Sequence, residues 1–248
     1  MRGSYRVAPG GTSQHDSPML PDSISLPGGA APVVWRRSAR ARRISLRIEP
    51  RQGGVVVTLP ERASAASARA VLLTHHDWVA DRIARLPRPV PFGDGGVVPL
   101  DGRPHRIVHR PAMRGSVSLE GDEIHVAGDG AFLARRVGDW LRLHARRRLG
   151  ALALAKAQAA GLTAKRVVIK DTSSRWGSCT SGGTLMFSWR LVMAPAEVQD
   201  YVVGHEVAHL RHMDHSRAFW ALTEQLTSYR AWATEWLARN GAGLMRVG

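Results

Sequence analysis

The stretch AEVQDYVVGHEVAHLRHMDHSRAFW, residues 196–220, combines a helical pattern with a cluster of ionisable side chains. Its valines recur at helical spacing, and Pro195 directly before it suits the first position of a helix. His205 and His209 are four residues apart and therefore lie one turn apart on one helix face. Two imidazoles at this spacing can bind one divalent ion. The stretch therefore predicts a metal site on a helix that runs to about His212.

Glu206 follows His205 directly and projects from the adjacent ridge of the same helix. From there its carboxylate can reach a water on the metal without binding the ion itself. A zinc ion lowers the pKa of such a water to about 7, and the carboxylate can accept the proton. The HExxH pattern therefore predicts a Zn²⁺-dependent hydrolase, a metallopeptidase in the first instance, with Glu206 as the general base.

A catalytic zinc ion takes a third protein ligand and keeps one position open. His215 lies six residues after His209, the spacing of the HExxHxxGxxH pattern, in which a glycine turns the chain back. His212 stands at that glycine position, and histidine tolerates positive φ better than most residues. We therefore expect His215 to be the third ligand. His212, about 10 Å from His205 along a straight helix, and Glu224, on a following helix, are the alternatives.

The residues around this stretch predict further strands and helices. Two strand patterns precede it, in residues 165–171 and 184–194, separated by the turn-rich loop SSRWGSCTSGG. The second is interpreted as an edge strand lining the cleft, where Trp189 and Arg190 contact a peptide; core packing is favoured for Trp189. The helices SRAFWALTEQL and AWATEWLARN follow, the second capped by Gly241.

Upstream of these elements the sequence predicts a β-rich region, two helices and a tail. The tail is rich in Gly, Pro and Ser and is expected to be disordered. A glycine turn joins the first two strands into a hairpin, and Gly161 ends the long helix. The predicted segments are a tail over 1–30, strands over 42–50 and 55–60, a helix over 64–86, further strands over 97–128 and a helix over 130–160.

Four segments together resemble the YgjP-like metallopeptidases, relatives of the SprT-type zincins: RWGSC at 175–179, SWRLVMAP at 188–195, YVVGHEVAHL at 201–210 and DHSRAFW at 214–220. The likeness extends over about residues 33–245. It implies zinc bound by His205, His209 and His215, with Glu206 as catalytic base. It also implies an α+β fold, in which an N-terminal antiparallel β portion with a helix, residues 31–128, precedes a zincin-like domain, residues 129–245.

Composition limits the other functions. The formal net charge is +15, but only Lys156, Lys165 and Lys170 of the 35 basic residues are lysines. An arginine excess beside abundant alanine and glycine is typical of codon bias, so a nucleic-acid partner is not favoured and a peptide or protein substrate is. No apolar run is long enough to span a membrane and no signal peptide is evident, so we expect a cytoplasmic protein without a membrane partner.

Two alternative functions follow from the same residues. The arginine excess suggests a metal-dependent phosphohydrolase acting on nucleotides, and a structural zinc would suggest a nucleic-acid or partner-binding module.

Cys179 is the single cysteine, so no internal disulfide forms. A role as a small apolar residue is favoured for Cys179 over a role as a nucleophile.

Several nearby residues have two interpretations each. Arg175 either stabilises a developing oxyanion or pairs with a carboxylate. Asp214 either hydrogen-bonds a ligand histidine or caps the helix that begins near Ser216. Three tryptophans at helical spacing are interpreted as packing residues: Trp220, Trp232 and Trp236.

Overall fold

A computed structural model describes residues 20–248 in two compact units. Within the described chain, the first unit runs to Ile48 and includes Val55–Asp81; the second contains Glu49–Gly54 and Arg82–Gly248. The predicted boundary between residues 128 and 129 falls inside the second unit. The mixture of sheets and helices confirms the α+β class. Across the described residues, no helix has the length and apolarity that crossing a membrane requires.

The first unit contains a four-stranded sheet. Its strands are β1 (Ser23–Leu26), β2 (Gly29–Ser38), β3 (Ser45–Glu49) and β4 (Gly54–Pro60), in the order β1-β2-β4-β3. β1 and β2 are antiparallel, whereas β2 and β4 are parallel. The predicted neighbours β3 and β4 lie side by side. Residues 20–30, predicted as part of the tail, include β1 and the start of β2, and residues 1–19 of that tail lie outside the described chain.

Two helices occupy the region predicted as one. They are α1 (Ala65–Thr74) and α2 (His76–Ala84). Ser64 caps α1, because its hydroxyl accepts a hydrogen bond from the backbone N–H of Ser67. The chain leaves helical geometry at His75, whose φ is −102° and ψ 21°. The prediction of a single helix is therefore wrong. The break consists of His75 alone, and the helical spacing of apolar residues continues on both sides of it, so the sequence pattern does not reveal it.

The second unit begins with another four-stranded sheet. Its strands are β5 (Val97–Leu100), β6 (Arg103–Arg110), β7 (Val117–Glu120) and β8 (Glu123–Ala127), in the order β5-β6-β8-β7. Two antiparallel hairpins join through the parallel pair β6 and β8. Asp101 and Gly102 form the first turn with φ of 49° and 80°, as the Asp-Gly signal predicted.

The long helix α3 (Leu133–Ala159) forms one side of the main core. Every fourth residue from Leu133 to Ala157 is buried, which keeps a single apolar stripe toward the core. Gly161, at φ 63°, ends it as predicted: its N–H donates to the Gln158 carbonyl, and the Leu162 N–H donates to that of Ala157. The stripe contains Leu133, Val137, Leu141, Ala145, Leu149, Ala153 and Ala157.

A three-stranded sheet lies next along the chain. Its strands are β9 (Arg166–Lys170), β10 (Gly177–Cys179) and β11 (Thr184–Ser188), in the order β10-β11-β9. β11 is therefore central, and the prediction that it is an edge strand running to residue 194 is wrong. A 3₁₀ turn over Trp189–Met193 follows it. Trp189 and Arg190 are each 1% exposed and Arg190 is ion-paired with Asp171, so both are buried residues and not peptide contacts.

Three helices close the fold: α4 (Ala196–Ala208), α5 (Arg217–Leu226) and α6 (Arg230–Leu244). Buried Gln199 fixes the start of α4, because its amide donates to Asp101 Oδ1 and to the Ala194 carbonyl, both at 2.8 Å. The predicted cap at Gly241 is wrong, since α6 continues to Leu244. A Cβ on Gly241 would lie 3.3 Å from Cζ2 of Trp176, so this glycine allows a close approach.

The α3 stripe yields a stability prediction. Leu141 is 0% exposed, so Leu141→Ala leaves a cavity and is expected to lower the free energy of unfolding by about 2–5 kcal/mol. Leu143, on the same helix, is 46% exposed, and Leu143→Ala is expected to change it by no more than about 0.5 kcal/mol. Urea denaturation followed by circular dichroism measures both. Equal effects for the two variants would contradict the assigned helix face.

Candidate metal centre

The end of α4 determines where the three histidines lie. His205 is in the last turn of the helix and His209 is its C-terminal cap. A tight turn follows, in which the Leu210 N–H donates to the Val207 carbonyl at 3.0 Å. The prediction that the helix continues to His212 is therefore wrong.

The turn after α4 needs no left-handed residue. Among described non-glycine residues, Asp101 alone has a positive φ, so His212 does not adopt the conformation of the glycine that it replaces in the motif. Because the helix stops at Ala208, the chain reverses with ordinary backbone angles, and the loop carries His215 back toward the helix.

The imidazoles of His205, His209 and His215 converge. One nitrogen from each lies within 4.8 Å of the others, and Nε2 of His205 is 3.3 Å from Nε2 of His215. Two nitrogens that each lie about 2.0–2.1 Å from one tetrahedral zinc ion are about 3.3–3.4 Å apart. The spacing of this pair therefore fits a shared tetrahedral ion.

The protonation of the cluster also suits a metal. Burial, with the nearby charges of His209 and His215, lowers the pKa of His205 to about 4. Burial also lowers the pKa of His209, although the hydrogen bond to the backbone of His212 partly offsets this decrease. His209 Nδ1 donates to the carbonyl of His212 at 2.9 Å, which leaves Nε2 with a free lone pair. Neutral imidazoles are the form that binds metal ions.

The two alternative third ligands lie elsewhere. His212 contributes only its carbonyl, and its imidazole is not part of the cluster. The exposed carboxylate of Glu224 is 3.6 Å from the guanidinium of Arg230. The structure thus brings His215 close to His205 and His209, whereas the side chains of His212 and Glu224 are not part of the cluster.

Glu206 lies beside the cluster and is 7% exposed. Burial raises the pKa of its carboxyl to about 7, although the charge of Arg175 opposes the shift. Strand β10 runs against this side chain: a Cβ built on Gly177 would be 2.5 Å from Cγ of Glu206 and 2.7 Å from Oε1. Only a residue without a side chain leaves Glu206 its present position.

Three further residues near the site had two interpretations each from the sequence: Cys179, Asp214 and Arg175. Burial and the charge of Glu206 raise the pKa of the Cys179 thiol to about 11, which disfavours the thiolate that a nucleophile needs. Asp214 Oδ1 accepts a hydrogen bond from the backbone N–H of Ser216 at 3.3 Å, in the turn before the helix. The interpretation that Asp214 caps α5 is wrong, because Ser216 is the cap and its hydroxyl accepts from the backbone N–H of Phe219. Arg175 is exposed, in the loop directly before β10.

Sequence analysis missed the aromatic residues of the site. Phe219 is fully buried, and its ring centroid lies 5.0, 4.5 and 4.7 Å from those of His205, His209 and His215. Trp220, interpreted from sequence as a packing residue, packs against two of these imidazoles. The available signal was spacing, because Phe219 follows His215 by only four residues and lies in the first turn of α5.

An HExxH helix with a third histidine from the following loop is the arrangement found in zincin-type metallopeptidases. The chain belongs to the YgjP-like family: residues 42–240 match the model of the YgjP-like metallopeptidase domain, which confirms the resemblance. The crystal structure of the metallopeptidase zymogen of Pyrococcus abyssi abylysin aligns with 40% of this chain and 97% of its own, at 23% identity and a TM-score of 0.34. No curated protein matches the chain significantly.

The contact between Gly177 and Glu206 yields a second prediction. Gly177→Ala forces the carboxylate of Glu206 aside. If Glu206 has the base role predicted from the sequence, a displacement of about 1 Å is expected to lower kcat about 100-fold. Gly182→Ala is the matched control, because Thr180 Oγ1 at 3.8 Å is the nearest atom to its Cβ. Peptidase assays and metal analysis of both variants provide the test. Loss of metal from Gly177→Ala, or unchanged turnover, would show that the contact does not position Glu206.

Proposed function

We propose that this metallopeptidase is a zinc enzyme in which His205, His209 and His215 hold the ion and Glu206 is the general base. The observation that carries the proposal is the 3.3 Å separation of the His205 and His215 Nε2 atoms, with His209 in the same cluster. Three protein ligands with one position left open are typical of catalytic zinc sites, whereas structural sites are closed. This argues against a binding module with a structural zinc.

A bound zinc ion supplies Lewis acidity, which polarises a carbonyl and makes water more acidic. Glu206 then accepts the proton of the attacking water and passes it to the leaving amine nitrogen. A carboxyl group with a pKa near 7 suits both transfers at neutral pH. The backbone of β10 at Gly177 covers the carboxylate and limits its access to bulk water.

The proposed substrate is a peptide held in an extended conformation. β10 is an edge strand of its sheet and pairs only with β11 among the described strands. Gly177 in this strand contacts Glu206, and the edge of β10 away from β11 can pair with a substrate backbone by strand addition. This role, first predicted for residues 184–194, therefore moves to Gly177–Cys179.

Metal content tests the ligand set. Wild-type protein is expected to hold one zinc ion per chain by elemental analysis. His205→Ala, His209→Ala and His215→Ala are each expected to lose it, because two imidazoles alone bind zinc weakly. His212→Ala and Glu224→Gln, the alternative ligands, are expected to retain it. Full zinc content in His215→Ala together with loss in either alternative would reassign the third ligand.

Activity tests the role of Glu206. Glu206→Gln is expected to keep its zinc and to lower the hydrolysis of casein-derived peptides about 10²- to 10⁴-fold, because the amide cannot accept the proton. Nucleoside triphosphates are assayed in parallel for the phosphohydrolase alternative. Glu206-dependent hydrolysis of the triphosphates without peptide cleavage would replace the proposed substrate class. Peptide cleavage that survives Glu206→Gln would remove the proposed base.

A further inference from the structure

The three histidines differ in how their rings are oriented. A histidine that binds metal through one nitrogen usually donates a hydrogen bond through the other, and this fixes the ring. His209 does so, to the carbonyl of His212. Nδ1 of His205 is buried without a hydrogen-bond partner. His215, in the part of the chain that the structure describes, makes a side-chain hydrogen bond only with His205. Two of the three rings therefore lack the usual support.

Aromatic rings surround these two imidazoles instead. Phe219 meets His205 at an interplanar angle of 79° and His215 at 69°, both edge-to-face contacts. The ring of Trp220 lies 5.6 Å from His215 at 36° and 5.8 Å from His205 at 58°. Edge-to-face and offset arrangements at such distances are the favoured ones for aromatic pairs. Each imidazole thus packs against at least two aromatic rings.

Trp220 is itself held by a third residue. The guanidinium carbon of Arg230 lies 3.5 Å from the centroid of the Trp220 ring, close enough for a stacked cation–π contact. Arg230 is the first residue of α6, and its guanidinium also lies 3.6 Å from the carboxylate of Glu224. The Trp220 indole therefore connects the loop that carries His215 to the start of α6.

We propose that Phe219 and Trp220, with Arg230 stacked on Trp220, orient His205 and His215 in place of hydrogen bonds and so determine how tightly the divalent ion is held. They are positioning residues, because the side chains of Phe219 and Trp220 offer no ligand atom to a metal and the guanidinium of Arg230 is itself a cation. The inference rests on the proposed ligand set. It assigns part of the zinc affinity to aromatic packing.

The principal test is Trp220→Leu in the full chain, which keeps an apolar side chain and removes the flat ring. Competition with a chromogenic chelator measures the Zn²⁺ dissociation constant, and the visible absorption of the Co²⁺-loaded protein reports ligand geometry. We expect one ion per chain, an affinity about 10- to 100-fold lower, as for other residues that support metal ligands, and an altered Co²⁺ spectrum. Trp232→Leu, at a 46% exposed position of α6, is expected to match the wild type in both measurements.

A second variant keeps the test decisive if Trp220→Leu does not fold. Arg230→Lys retains the charge and loses the planar stack. It is expected to weaken Zn²⁺ binding about 2- to 5-fold, in line with an exposed cation–π contact. Arg239→Lys, on the same helix and paired with Glu235, is the control and is expected to leave affinity unchanged.

The outcomes separate this inference from the proposed function. A wild-type chain that takes up neither Zn²⁺ nor Co²⁺ would overturn both. A wild-type chain that binds zinc, with Trp220→Leu and Arg230→Lys indistinguishable from it in affinity and Co²⁺ spectrum, would overturn the inference and leave the proposed function intact. A weaker affinity and an altered spectrum confined to these variants would support it.

Discussion

The candidate metal centre depends on where α4 ends. The helix holds His205 and Glu206 on neighbouring ridges, and its termination at Ala208 leaves His209 at the cap. If the helix continued by one more turn, the loop would leave the cluster in another direction and His215 would not reach His205. The buried network at Gln199 fixes the other end of the same helix. Because both ends of α4 are defined, one helix sets the relative positions of His205, Glu206 and His209.

Burial gives these residues their chemistry. The same exclusion of water that keeps His205 neutral also raises the pKa of Glu206 toward 7. Neutral imidazoles are donors for a cation, and a carboxyl that titrates near neutral pH can both take and return a proton. One desolvated environment therefore suits two different roles, and the close backbone of Gly177 is part of that environment.

Sequence alone predicted which histidines lie together but not all of the geometry around them. The spacing of His205, Glu206 and His209 is a local property of a helix, so it was readable directly. The end of α4 was not, because the apolar pattern runs past Ala208. The choice of edge strand and the contact of Gly177 with Glu206 were also missed, since sheet order and close approach are set by residues distant in the chain. Phe219 was missed because a buried aromatic residue normally signals only core packing.

The proposed metal ligands and the proposed base differ in how much of the fold they require. His205 and His215 are ten residues apart, and Phe219 and Trp220 follow at once, so the proposed ligands and their aromatic neighbours form nearly one continuous segment. Closing so short a loop costs little conformational entropy. Glu206 acquires its surroundings only when β10, encoded almost thirty residues earlier, has joined its sheet. The proposed ion site is thus assembled from residues close together in the chain, whereas the surroundings of the proposed base depend on long-range contacts.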